Sequence, residues 1–112
     1  METKRFNDLM LRYPNWISEG PDNQVYTFFG QHYTRYDENK LVNEEDGYWL
    51  EQSDDALIIE LEGSGKRYTI TERWENETPI LEFTPVDSSG NESFSLVPKN
   101  LKVKEASQPR YH

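Results

Sequence analysis

After Gly20 and Pro21 the apolar residues of this chain fall at alternate positions, in runs too short for helices and separated by turn residues. Period two is the signature of a half-buried β-strand, and it limits what the chain can become. Eight segments carry it: Gln24–Phe29, His32–Tyr36, Gly47–Glu51, Ala56–Glu62, Lys66–Trp74, Ile80–Thr84, Glu92–Val97 and Leu101–Lys104. Turn chemistry divides them. Gly30-Gln31 suits a two-residue type II′ hairpin turn, with glycine supplying the positive φ. The Gly-rich "EGSGK" and the loop "VDSSGN" read as hairpin connections, and Pro79 in "ENETP" is expected to stand outside the ladder.

No stretch between these segments is long enough for a crossover helix, so the strands are expected to pair antiparallel with their sequence neighbours. Eight such strands must protect two edges, and closure into a barrel does this most simply; a two-layer sandwich is the alternative. The reading is mainly β: an antiparallel up-and-down meander of about eight strands forming a small barrel, with one N-terminal helix. That helix is expected over residues 3–13. Phe6, Leu9, Met10 and Tyr13 form one apolar stripe, Thr3 is placed to cap it, and Pro14 ends it. Trp16 and Ile17 are expected to dock it onto the sheet. Residues 1–106 form a single domain in this reading, and the tail 107–112 is expected to fray.

Alternation also assigns faces. Leu57, Ile59 and Leu61 point one way; Tyr68, Ile70, Glu72 and Trp74 share a face, as do Leu81 and Phe83. Across a two-residue turn Phe28 stands opposite Tyr33, so Tyr26, Phe28, Tyr33 and Arg35 line one side of the first hairpin.

Composition sets the rest. Only 34% of the 112 residues are apolar, so three Trp, seven Tyr and five Phe must supply much of the core. There is no cysteine, which excludes disulfides, thiolate metal sites and a cysteine nucleophile. The N-terminus is charged and unlike a signal peptide, and a cytoplasmic protein that does not enter the membrane is expected. Residues 37–62 hold ten acids and one base, Lys40, which accounts for the whole net charge of −9. Direct nucleic-acid binding and anionic lipid are disfavoured, whereas a basic protein partner is suited.

Catalytic and metal signatures are weak. His32 and His112 are the only histidines, and no serine sits in a G-x-S-x-G elbow. "GSGK" lacks the further glycine and the following helix of a phosphate loop. "DENK" and "NEEDG" offer oxygen ligands without the spacing of a calcium loop. No enzyme activity, cofactor or metal is expected.

The order "YTFFGQHYTRYD", "DGYWLEQSDDALIIEL", "KRYTITERW", "ILEF" resembles the meander of bacterial lipocalin-like, calycin-type domains over residues 24–84, with Gly47-Tyr48-Trp49 in place of their G-x-W strand. This chain departs from the large lipocalins in its short length and in a helix that precedes the strands. The resemblance implies a barrel whose interior could take a small apolar or aromatic ligand. On it, Tyr26, Phe28, Tyr33, Trp49, Tyr68 and Trp74 are the expected lining; the strand faces add a Glu72–Arg35 pair as the polar anchor, the alternative being that Glu72 sits at a strand end or bulge where its side chain reaches water. Against this stands the bland expectation that the same rings are needed simply to fill a small barrel. The alternative function is an acidic interaction or inhibitor protein that docks a basic partner, or imitates nucleic acid, through residues 37–62.

Overall fold

A computed structural model describes residues 1–18, 24–37, 43–86 and 92–99. The chain begins with one helix, α1 (Thr3–Arg12), and continues as eight strands: β1 (Trp16–Ser18), β2 (Gln24–Phe29), β3 (His32–Asp37), β4 (Asn43–Ser53), β5 (Ala56–Leu61), β6 (Arg67–Glu75), β7 (Thr78–Pro85) and β8 (Phe94–Pro98). Each strand pairs antiparallel with the next, and β1 pairs with β8 to close the barrel. The fold is thus the expected up-and-down meander, closed rather than sandwiched. Among the described residues no helix is long and apolar enough to cross a membrane.

Seven strand segments fall where alternation places them. The eighth, Leu101–Lys104, lies outside the described residues, as do the tail 107–112 and most of the "VDSSGN" loop. Closure comes instead from β1, which the period does not reveal. Trp16, Ile17 and Ser18 stand opposite Pro98, Val97 and Leu96, and the Lys99 N–H donates to the Asn15 carbonyl at 2.9 Å.

Two turns differ from expectation. Gly30 and Gln31 both have positive φ, 59° and 67°, so the β2–β3 turn is type I′ rather than II′. Its register is nonetheless the expected one, with Phe29 opposite His32 and Phe28 opposite Tyr33. Asn76 and Glu77, with φ of 50° and 64°, form the β6–β7 turn. Pro79 therefore lies inside β7, opposite Trp74, and not beyond the strand.

The barrel interior is filled by side chains from every strand, including Trp16, Phe28, Tyr33, Tyr48, Leu57, Ile59, Tyr68, Ile70, Leu81, Phe83 and Leu96. Leu57, Ile59 and Leu61 face inward together, as alternation requires, and each neighbouring strand follows by register. α1 closes one end. It buries Phe6, Leu9 and Met10 in this core, with Phe6 edge-on to Phe28 (5.7 Å between centroids) and to Tyr48 (6.3 Å).

Thr3 does not cap the helix. It is the first helical residue, and Glu2, at the cap position, makes no side-chain cap bond. Gln52 on β4 takes over that role. Its Oε1 accepts from the Thr3 N–H at 2.9 Å and from the Thr3 hydroxyl at 3.2 Å, while its Nε2 donates to the Met1 carbonyl. An orphan helix donor is thus satisfied from the sheet, which fixes the helix start over the β4–β5 turn.

Candidate ligand site at the barrel end opposite the helix

The expected lining residues separate into four places. Tyr26, Tyr33, Arg35 and Tyr68 come together at the end opposite α1, around a recess of about 400 Å³. Leu61, Phe94, Glu44, Asp46 and Lys66 complete it. Phe28 is deeper, within the packed core. Glu72 and Trp74 lie at the helix end. Trp49 faces outward with 54% of its surface exposed, and its neighbour Tyr48 takes the interior position.

The floor of the recess is built from stacked rings. Tyr26 lies parallel to Phe28 and to Phe94, at 6.0 and 5.8 Å between centroids, and Phe94 stacks on Phe83 at 4.7 Å. Tyr68 meets Phe94 edge-on at 5.3 Å.

The polar side of the recess is Arg35. Its guanidinium pairs with Glu44, the residue opposite it on β4. Burial disfavours its charge, but hydrogen bonding with Tyr26 and the neighbouring Glu44 outweigh this and raise its pKa. Burial likewise raises the Tyr33 phenol, helped by the charges of Asp46 and Glu44, and raises Tyr68, helped by Tyr26. The phenols of Tyr33 and Tyr68 therefore stay protonated at ordinary pH and can donate hydrogen bonds.

The rim is held by the β5–β6 turn. Asp46 Oδ2 accepts from the Gly63 N–H at 2.6 Å, and its Oδ1 accepts from the Gly47 N–H at 2.8 Å. A side chain at position 63 would start 2.1 Å from that carboxylate, which explains the glycine there. Gly47 serves a different contact. Glu62 crosses over it, with Oε2 3.0 Å from where a Cβ would stand, to accept from the Trp49 indole N–H at 3.0 Å. The G-x-W spacing in this chain therefore positions a surface contact and not an interior one.

The expected Glu72–Arg35 pair does not form. Glu72 is partly buried at the helix end, where Arg5 of α1 grips it through Nε (3.1 and 3.2 Å) and Nη2 (2.7 Å). The Trp74 indole N–H donates to the same carboxylate at 2.7 Å. The bond from Arg5 lowers the Glu72 pKa; burial opposes this, and Trp74 reinforces it. Glu72 is a clasp for the helix.

Sequence reasoning missed Phe94, Lys66, Glu44 and Asp46. Phe94 alternates with Leu96 on β8, so the period-two signal was present for it; the polar rim residues are identified only by the turn they surround. Among the described residues no group of three or more His, Asp or Glu side chains is gathered for a metal. His32 stands exposed on β3. The fold and site define an eight-stranded antiparallel barrel closed at one end by a helix, with a ring-floored recess at the other. Family models, curated proteins and solved structures were each compared with the chain, and none matches.

Proposed function

We propose that this is a lipocalin-like, calycin-type binding module that holds a small, flat, apolar or aromatic ligand at the end of the barrel opposite α1, without catalysis. One observation carries the reading: three phenols, one phenylalanine and one guanidinium converge on a recess of about 400 Å³. Sites for small molecules are of this size; here rings form the floor, and the exposed wall is mainly polar, with Arg35, Glu44, Asp46 and Lys66 around it. The rings provide stacking faces, and Arg35 and the Tyr33 phenol provide donors for a polar or acidic head. The packed middle of the barrel confines the ligand to the recess and excludes a long acyl chain.

The reading is tested by native mass spectrometry of protein purified from its own host, followed by titration with an aromatic sulfonate probe, 1-anilinonaphthalene-8-sulfonate. A retained small molecule and one-to-one probe binding are expected. Tyr26→Ala or Arg35→Leu should weaken the probe about tenfold, the equivalent of one lost stacking or charged contact. Probe binding indifferent to both substitutions refutes the proposed site.

A further inference from the structure

A second surface lies at the helix end, where the barrel wall is uneven. β3 begins at His32, opposite Gly47, whereas β4 runs on to Ser53. Beyond Gly47, β4 pairs with β5 along one edge, and its other edge has no strand partner among the described residues. Backbone groups of a strand point alternately to its two edges. The Tyr48 N–H points toward β3 and donates to the Gln31 carbonyl at 2.9 Å. The Leu50 N–H and C=O, two residues on, point the same way, past the end of β3, where no strand meets them.

A groove of about 420 Å³ follows this edge, between α1 and the β2–β3 turn. Leu11, Phe29 and Trp49 stand around it, exposed by 74%, 76% and 54%. Large apolar side chains grouped beside an unpaired strand edge mark a binding surface. The charges beside it are uneven. On the outer face of β4 and β5, Glu51, Glu60 and Glu62 surround Trp49 and share one base, Arg67, which pairs with Glu51 and Glu60. Glu62 is held against Trp49 at the border of the groove.

We propose that this groove docks an extended segment of a partner protein, one or two apolar side chains set among lysines or arginines, which adds to β4 at Leu50 as a short strand. The free edge supplies main-chain hydrogen bonds, and the apolar trio takes the side chains. The carboxylates favour a basic sequence. The same charges disfavour other occupants. In a two-fold contact between copies of this chain they would face each other, and they repel anionic lipid. The surface lies at the opposite end of the barrel from the ligand recess, so the two readings stand or fall separately.

The test is selection from a phage-displayed library of random dodecapeptides, followed by titration of the selected peptides. Both exposed side chains can be replaced without disturbing the core, so Leu11→Ser and Phe29→Ser variants, checked for fold by circular dichroism, serve as controls. The expected peptides are net basic with one or two large apolar residues. They bind at least about fivefold more weakly at about 0.3 M than at about 0.05 M salt. They lose about tenfold or more on Phe29→Ser. They slow hydrogen exchange of the Leu50 amide, which a side-chain contact alone would leave unchanged. Neutral or acidic peptides, no enrichment, full binding to the serine variants, or an unchanged Leu50 amide overturns the proposal. So does sedimentation as a dimer that Phe29→Ser dissociates.

Discussion

The pairing of Arg5 with Glu72 is the contact by which the helix is locked to the barrel, and a double-mutant cycle measures it. The Glu72 side chain is 16% exposed and that of Arg5 42%, so the pair lies between two regimes. Exposed ion pairs couple by about 0.2–1 kcal/mol, and hydrogen bonds to charged groups in more buried settings contribute about 1.5–3 kcal/mol. With Arg5 two-fifths exposed, the upper range is discounted for solvent screening, leaving a coupling of about 1 kcal/mol. Glu72→Gln removes the charge but keeps an acceptor for the Trp74 indole. Arg5→Met keeps an apolar stem beside Trp74, whose ring centroid lies 6.0 Å from the guanidinium carbon. Urea unfolding of the parent, both single variants and the double variant at pH 7 gives the coupling directly. Its pH dependence has a fixed sign. Glu72 has a folded pKa below its ordinary 4.5, so its contribution is complete above about 4.5 and is lost as pH falls through the lower, folded value. A coupling within about 0.3 kcal/mol of zero at pH 7 refutes the helix placement. A coupling of Glu72 to Arg35 in its place would restore the pairing expected from the strand faces alone.

Phe6→Ala removes the ring that α1 inserts between Phe28 and Tyr48, and should cost about 3–5 kcal/mol in denaturant unfolding. A loss below about 1 kcal/mol would mean that the helix does not plug the barrel. Tyr33, Tyr48 and Tyr68 have pKa values raised above 10.0, chiefly by burial. Absorbance titration should therefore show a late phenolate phase that shrinks in each Tyr→Phe variant. Because the unfolded chain ionises first, stability should fall as pH rises above about 10; a single phase at the ordinary tyrosine pKa contradicts the packing.

Much of the barrel is written locally. Two-residue turns and alternate apolar positions place β2 to β8, and the inward run Leu57, Ile59 and Leu61 orients the meander. The same logic reaches further than the G-x-W comparison does. A two-residue turn at Asp54-Asp55 sets Gln52 opposite Leu57 and Leu50 opposite Ile59, which turns Tyr48 inward and Trp49 out. Contacts made by chain folding leave no such mark. β1 is three residues long and is defined only by partners on β2 and β8. The helix start is satisfied by Gln52, and Glu72 by Arg5; both depend on where α1 lands, which no periodicity encodes. The recess is intermediate, because alternation places Tyr26, Tyr33, Arg35 and Tyr68 on inner faces without saying at which depth they meet.

The joint between β1 and β8 has a consequence for how the molecule is made and how it fails. It is the one strand pairing between opposite ends of the described chain, and only three residues of β1 hold it. Contacts so distant in sequence are entropically the hardest to bring together, so the hoop fastens late, after the hairpins have formed. Until then two bare flanks are available to another molecule caught at the same stage. Strand exchange and early aggregation during refolding should therefore start at this clasp, and a crosslink across it should suppress both.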